Sequence, residues 1–213
     1  MTFGESNRSP RLNRPAWFFA FMCLASMSLA GTSPQTEREG GSTGWNAEQL
    51  IESLAKNRPA EVRFEETAFS NLLTEPLKTQ GILRFTPPAR LEKHVTAPYD
   101  ERYLVEGDTV LFENKTKGTN RTLSLQDYPA LQAFVEAFRS TLANDVVTLK
   151  RFYSMTLQGE PRRWVLLLRP LDKATQELVE SIRFSGEGEH VRVIEIRAPD
   201  GDRSVMVITG GAE

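Results

Sequence analysis

Apolar and polar residues alternate most regularly between Gly81 and Asn114. One set of alternating positions is apolar: Leu83, Phe85, Tyr103, Val105, Val110 and Phe112. Pro87-Pro88, Pro98 and Gly107-Asp108 interrupt the pattern at places where a chain turns readily. A period of two broken by tight turns predicts four short antiparallel strands. They would form a curved sheet with one apolar face that the rest of the chain must cover.

Two segments have the period of a helix. Asn46 is a good N-cap for a helix that runs to about Asn57 and is ended by Pro59. Asp127 is predicted to cap a second helix, Tyr128 to Ala143. The second helix has a continuous apolar stripe: Leu131, Phe134, Val135, Phe138 and Leu142. A stripe with two phenylalanines indicates a helix that packs on the sheet.

The remaining segments alternate like strands. They are Ala60–Ser70, Asn120–Leu125, Leu149–Leu157, Trp164–Arg169, Leu178–Phe184, His190–Arg197 and Ser204–Thr209. Turns are predicted at Gln158-Gly159, at Gly186–Gly188 and at Pro199–Asp202. Consecutive hairpins of this kind, with about ten strands and two clear helices, predict an antiparallel, β-rich α+β fold.

The N-terminus has a different composition from the rest of the chain. Arg8, Arg11 and Arg14 precede fifteen uncharged residues, Ala16 to Ala30, which end in a small-residue cleavage pattern. This predicts a cleaved signal peptide over residues 1–30, because a retained membrane helix normally needs about 20 apolar residues. A Gly/Ser/Thr/Pro-rich linker follows over residues 31–45, and residues 46–213 form the folded domain.

Cys23, the only cysteine, raises the alternative of a lipidated N-terminus. It lies in the middle of the apolar segment, and the residue before it, Met22, is not small. We therefore interpret it as part of the signal peptide. Cleavage after Ala30 removes three arginines and one glutamate and shifts the formal net charge from −2 to −4. A mildly acidic exported domain is a poor candidate for binding nucleic acid.

Few residues suggest catalysis or metal binding. His94 and His190 lie on separate predicted strands without the partners that a metal site needs. The sequence has no G-x-S-x-G motif, and the cleaved chain would have no cysteine nucleophile. Glu65 and Glu66 are neighbours on a strand, so they point to opposite faces. We expect a protein that is not an enzyme and that has no metal or cofactor.

The apolar side chains leave two interpretations open. Seven aromatic residues are predicted to face the inside of the sheet: Phe64, Phe85, Tyr103, Phe112, Phe134, Phe138 and Trp164. Each taken alone is best explained as part of a core. As a set, they would line a sheet too wide for two helices to fill, which would leave a ligand cavity. Periodicity does not decide between a filled core and a cavity.

The central stretch resembles the LolA family, the periplasmic carriers of outer-membrane lipoproteins. The motif G-x-L-x-F-x-x-P-x-x-L is followed by P-x-x-E and V-x-G-D-x-x-x-F. The matching residues are Gly81, Leu83, Phe85, Pro88, Leu91, Pro98, Glu101, Val105, Gly107, Asp108 and Phe112. The two helices, the first strand and the run from Trp164 to Pro170 also fall in the family's order. The resemblance covers about residues 46 to 209.

The resemblance implies an incomplete antiparallel β-barrel of about ten to eleven strands, with a lid of two to three α-helices over a hydrophobic cavity. The residues expected to line it are Phe64, Leu83, Phe85, Tyr103, Val105, Phe112, Leu131, Phe134, Phe138, Trp164 and Leu166. It further implies a periplasmic monomer that carries acylated lipoprotein or another lipid from an inner-membrane exporter to an outer-membrane acceptor. The alternatives are a sensor or interaction domain that binds a partner without transporting cargo, and a lipid-directed enzyme.

Two features depart from the family pattern. The lipoprotein carriers have an arginine just before the proline of the central strand, where it bonds to the lid and holds it shut. Pro87 occupies that position here and has neither a charge nor an N–H donor. The chain also ends at Glu213 without the C-terminal extension of the better-known carriers. The expected protein is therefore a divergent relative whose lid is held differently and whose cargo need not be a lipoprotein.

Overall fold

The computed structural model describes residues 45–211. The helices are α1 (Ala47–Lys56), α2 (Pro129–Ala143), α3 (Val146–Phe152) and α4 (Lys173–Gln176). The strands are β1 (Glu61–Phe69), β2 (Leu77–Thr86), β3 (Arg90–Ala97), β4 (Glu101–Glu106), β5 (Thr109–Asn114), β6 (Thr119–Ser124), β7 (Tyr153–Glu160), β8 (Arg163–Pro170), β9 (Ser181–Glu187), β10 (His190–Arg197) and β11 (Arg203–Gly211).

All eleven strands form one antiparallel sheet. Their order is β6-β5-β4-β3-β2-β1-β11-β10-β9-β8-β7, so the first and last strands pair at the centre and β6 and β7 are the two edges. Because β6 and β7 do not pair with each other, the sheet is curved but not closed. The predicted α+β fold with an incomplete antiparallel barrel and a helical lid is confirmed.

The first helix begins and ends as the sequence predicts. The Asn46 side chain accepts a hydrogen bond from the Gln49 backbone N–H at 2.9 Å, and the Gln49 side chain accepts from the Asn46 N–H at 3.1 Å. This reciprocal capping box satisfies two N–H groups that lack partners in the first turn. Leu50, Ile51 and Leu54 are buried on one side of the helix, as the stripe requires.

The predicted cap of the second helix is wrong. Asp127 ends a short 3-10 helix, Leu125–Asp127, and the residue before α2 is Tyr128, whose side chain makes no capping bond. Pro129 begins the helix, where its missing N–H costs little. The predicted apolar stripe is correct, since Leu131, Phe134 and Val135 are all buried.

The predicted strand Leu149–Leu157 is wrong over its first four residues. Asn144 adopts a left-handed conformation that ends α2, and the Asp145 side chain then accepts from the Thr148 N–H at 3.0 Å and caps α3. Leu149 is therefore helical and fully buried, and the strand starts at Tyr153.

Three turn and boundary predictions also need correction. Gly159 lies within β7, and the hairpin turns at Pro161 instead. Gly186 lies within β9. Leu178 precedes β9 because the short helix α4, capped by the Asp172 side chain, occupies the chain just before it.

The signal peptide predicted for residues 1–30 lies outside the described residues, as does nearly all of the linker. Within residues 45–211, no helix has both the length and the apolar character needed to cross a bilayer.

Candidate functional site

A cavity of about 450 Å³ lies between the inner face of the sheet and the lid helix α2. Its walls come from α1, α2, strands β1 to β5 and strands β9 to β11. Leucine, valine, isoleucine and phenylalanine side chains make up most of this lining. The volume falls in the range of about 300–1,000 Å³ that is typical of small-molecule sites.

Seven of the eleven predicted site residues line this cavity: Leu83, Phe85, Tyr103, Val105, Leu131, Phe134 and Phe138. The two lid phenylalanines contact each other, with ring centroids 5.2 Å apart. The Phe138 ring also packs edge-on against Phe184 of β9 at 5.6 Å. This aromatic cluster joins the lid to the half of the sheet that follows it in sequence.

The other four predicted residues lie away from the cavity wall. Trp164 and Leu166 are fully buried on β8, and the Trp164 indole N–H donates to the Gly188 carbonyl at 2.9 Å. Phe64 is buried on β1 and is not part of the cavity lining. Phe112 is half-buried and packs against Tyr103 at 4.9 Å. These residues fill a core, so the chain has both the filled core and the cavity.

The cavity opens at one end of the sheet. Its exposed lining residues are Asn57, Pro59, Glu189, His190 and Arg192. They lie in the α1–β1 loop, in the β9–β10 turn and at the start of β10. The same end contains the start of β1, where Val62 pairs with Leu83 of β2 and Gly211 of β11. We refer to this end as the mouth.

Arg58 connects the lid to the sheet at the mouth. Its guanidinium Nη1 donates to the Ala55 carbonyl of α1 at 2.6 Å and to the Leu142 carbonyl of α2 at 2.8 Å. The same group lies 4.8 Å from the centre of the Phe85 ring on β2. One side chain thus contacts both lid helices and the sheet, although it is not at the position of the family arginine.

Two further contacts hold α2 on the sheet. The Arg139 guanidinium donates to the Gly107 carbonyl at 2.8 Å and pairs with Glu136 one helical turn away. On the other side of the helix, the buried Tyr153 hydroxyl donates to the Ala133 carbonyl at 3.0 Å. Burial raises the pKa of the Tyr153 phenol, which keeps this donor protonated. The helix is therefore fixed near its middle as well as at the mouth.

A buried ion pair lies beside the cavity. Lys93 Nζ of β3 is 2.5 Å from Glu66 Oε2 of β1, and each side chain is only 5% exposed. The Ser204 hydroxyl of β11 donates to the other oxygen of the Glu66 carboxylate. Lys93 lines the cavity. Glu65 is exposed and Glu66 is buried, so the prediction that they point to opposite faces is correct, whereas the lysine partner of Glu66 was not predicted.

The strand pattern contained a signal for this pair. Phe64 and Glu66 share one face of β1, and Leu91 and Lys93 share one face of β3. The same period that places Phe64 and Leu91 inside therefore places the two charges inside as well. Two buried charges of opposite sign on nearby strands are expected to pair.

A second cluster of polar side chains lies at the start of β4, around Glu101. The Tyr103 hydroxyl donates to Glu101 Oε2 at 2.9 Å, and the Asn114 amide donates to Glu101 Oε1 at 2.7 Å. Burial, with the nearby Glu101 charge, raises the pKa of the Tyr103 phenol. The ring therefore presents an apolar side to the cavity while its hydroxyl stays neutral and bonded.

The two histidines occupy separate places. His94 Nε2 lies 2.8 Å from Asp100 Oδ1, and this hydrogen bond lowers the pKa of the Asp100 carboxyl. His190 is exposed at the mouth. Over residues 45–211 there is no group of three or more His, Cys, Asp or Glu side chains suited to a metal ion.

Several solved structures are similar to this chain. The LolA superfamily protein of Nitrosomonas europaea is 10% identical with a TM-score of 0.40, over 77% of this chain and 91% of that one. Lipoprotein LppX of Mycobacterium tuberculosis is 12% identical with a TM-score of 0.37, over 75% of this chain and 93% of that one. The matching chain of the MucA/MucB complex of Pseudomonas aeruginosa is 12% identical with a TM-score of 0.41, over 78% of this chain and 58% of that one. At these values none carries an argument about what this chain binds.

No curated protein matches the chain. The profile of one family does, over residues 40–213, and its description is outer membrane lipoprotein carrier protein LolA-like. This range contains the whole sheet, the four helices and the cavity. The chain belongs to this LolA-like family.

Proposed function

We propose that this protein is a periplasmic carrier that binds acyl chains in the cavity beneath α2 and moves them from the inner to the outer membrane. The observation that carries the proposal is the cavity itself, about 450 Å³ of largely apolar space with an opening at one end of the sheet. Membership of the LolA-like family supports the same function. The cargo is an acylated lipoprotein or another lipid.

The size of the cavity suits a carrier that must release its cargo. Burying an acyl chain contributes about 0.8 kcal/mol per methylene. Complete burial of several chains would therefore hold the cargo too tightly for transfer to an acceptor. A cavity that encloses part of the cargo, under a helix held by a few polar contacts, binds acyl chains and still releases them.

The proposal does not involve catalysis. A carrier needs an apolar space with a mouth and a lid: Phe134 and Phe138 line the space on the lid side, and Arg58 holds the lid at the mouth. The polar side chains beside the cavity hold the lid or pair with each other. Export is part of the proposal, because an inner-to-outer membrane carrier works in the periplasm.

The first test is native mass spectrometry of the protein purified from the periplasm of its own host, followed by organic extraction of bound molecules. An acylated molecule that co-purifies would support the proposal and identify the class of cargo. A protein that arrives empty and also fails to bind N-phenylnaphthylamine would contradict it. The interaction-domain alternative would then be the better explanation.

A further inference from the structure

Lys93 lies inside the mouth and not on its rim. It pairs with Leu83 on β2 and Tyr103 on β4, and both of these residues line the cavity. The next inward-facing row toward the mouth contains Phe85, Leu91 and Val105. Two residues along a strand span about 6.5 Å. Lys93 therefore belongs to the second row of wall residues from the mouth, and its ammonium group extends from there toward Glu66.

The ion pair has a cavity side and a protein side. Lys93 lines the cavity, whereas Glu66 is absent from its lining. The Glu66 carboxylate is held from behind by the Ser204 hydroxyl, with the Thr79 hydroxyl 3.4 Å from its second oxygen. The carboxylate is thus held within the sheet, and Lys93 is the member of the pair that lines the cavity.

The backbone of β2 is shaped to fit this arrangement. A Cβ at Gly81 would lie 2.0 Å from the His94 carbonyl oxygen and 3.0 Å from Phe64 Cε1. The Phe64 ring therefore occupies the space that a side chain at Gly81 would need, and Lys93 Nζ lies 5.3 Å from the centre of that ring. Glycine at this position accommodates the His94 carbonyl and leaves room for the Phe64 ring, which lies beside Lys93.

Stability alone does not explain why an ion pair is buried at this place. Removing two charges from water costs several kcal/mol for each ion, and well-packed apolar side chains at such positions are often as stabilising or more so. Lys93 is part of the cavity lining, so a ligand bound in this part of the cavity lies against it. A ligand oxygen at the same place would accept a charge-assisted hydrogen bond.

We propose that Lys93 forms a polar subsite in the cavity wall that binds the oxygen atoms at the end of an acyl chain, either a free carboxylate or an ester carbonyl. The inference rests on the proposed acyl-binding function. The Lys93–Glu66 pair has no net charge, so it suits a single acyl oxygen better than a multiply charged phosphate. The chain then extends from this point across the apolar wall toward Phe134 and Phe138.

The test measures displacement of N-phenylnaphthylamine by three ligands of equal chain length: lauric acid, methyl laurate and dodecane. The variant is the double substitution Lys93→Met with Glu66→Gln, since removing the lysine alone would leave a buried carboxylate without its partner. The glutamine amide can still accept from Ser204. The matched control is Lys56→Met with Glu52→Gln, which removes an exposed ion pair on α1.

The expected result is that the double variant binds the oxygenated ligands about tenfold more weakly, as for the loss of one hydrogen bond to a charged group, and binds dodecane as wild type does. The control pair is expected to change none of the three affinities. A loss for lauric acid but not for methyl laurate would assign the subsite to a free carboxylate; equal losses would assign it to the carbonyl oxygen.

Two results overturn the inference, and they differ from each other. If wild type binds all three ligands and the double variant keeps the same ratios among them, the subsite does not exist and the carrier proposal stands. If wild type binds neither the probe nor any of the ligands, the acyl-binding proposal fails and the subsite fails with it. Circular dichroism and thermal unfolding of each variant show whether the fold is retained.

Discussion

The Arg58 guanidinium donates to the backbone carbonyl of Leu142 at 2.8 Å, which links the α1–β1 loop to the C-terminal end of the lid helix. It also donates to Ala55 and lies over the Phe85 ring. Carbonyls at the end of a helix lack intrahelical partners, so a cation at this place satisfies them and interacts favourably with the helix dipole. The lid is therefore held at the mouth by a residue that belongs to neither the lid nor the sheet.

We expect Arg58→Ala to release a bound fluorescent fatty acid about tenfold faster, because the lid loses its polar contact at the mouth. Stopped-flow displacement measures the rate. The matched control is Arg203→Ala, since Arg203 also lies over a ring, that of Phe69 at 4.3 Å, but on an exposed part of β11. Equal release rates for the two variants would show that Arg58 does not hold the lid.

Phe138→Asp is expected to abolish uptake of an acyl probe. Phe138 lines the cavity between Phe134 and Phe184, and a carboxylate there would need water or a partner that this wall does not offer. Fluorescence titration measures the affinity. Phe138→Trp provides a second variant without a charge and should also weaken uptake by filling part of the space.

The control for this substitution is Leu72→Asp. Leu72 is 60% exposed in the β1–β2 loop, so a carboxylate there remains in water. Normal uptake by a folded Phe138→Asp variant would contradict the assignment of α2 as the lid.

Leu166→Ala should lower stability without changing ligand affinity. Leu166 is fully buried on β8, away from the cavity, and truncating a buried leucine costs about 2–5 kcal/mol. Urea unfolding measures this loss. Leu83→Ala is the matched variant at the cavity wall, where we expect a smaller loss of stability and a clear loss of probe affinity. The reverse pattern would show that the two residues are assigned to the wrong sites.

The stability of the protein is expected to depend on Asp202 at acidic pH. Asp202 is 2% exposed, and burial raises its pKa, while its Oδ1 accepts from the Asn71 N–H at 3.3 Å. Because the folded pKa lies above the unfolded one, ionisation of this group opposes folding at neutral pH. The penalty diminishes as the pH falls through the folded pKa toward the unfolded value of about 3.9.

Asp202→Asn removes this pH dependence. We expect its stability relative to wild type to be greatest at neutral pH, to decline as the pH falls through the folded pKa of Asp202, and to level off below the unfolded value of about 3.9, as measured by urea unfolding across a pH series. Asp145 gives the opposite sign, because its hydrogen bond to Thr148 lowers the pKa of that carboxyl. Asp145→Asn should therefore be less stable than wild type at neutral pH, with a difference that decreases in acid.

The elements that local patterns define were predictable. The hairpins from β2 to β5 were predicted from the alternation of apolar residues and from the turns at proline and Gly107. Both signals are local, because each strand and its turn lie within a few residues of each other. Helix α3 was missed because Leu149, Tyr153, Met155 and Leu157 continue a strand-like alternation across a helix-to-strand boundary. The Asn144-Asp145 pair, a C-terminal and an N-terminal helix signal in succession, marks the end of α2 and the start of α3.

The site was less predictable than the fold. Periodicity identifies Leu83 and Leu166 as inward-facing, but only the packing of α2 decides that one meets a cavity and the other a closed core. Arg58 gave no signal, because its function depends on three elements that are distant in sequence. The hydrogen bond from Arg58 to Leu142 joins residues 84 positions apart.

The open edges of the sheet have a consequence for the range of ligands that the proposed carrier could accept. Within the sheet, strands β6 and β7 are connected only through the nine strands between them, while α2 and α3 link them along the chain, and the twist between neighbouring strands varies over a range of angles. Such changes add up along the sheet, so the two edges can separate while every strand stays paired. If the protein is the proposed carrier, the width of the open sheet would therefore adjust to the size of the bound acyl chains.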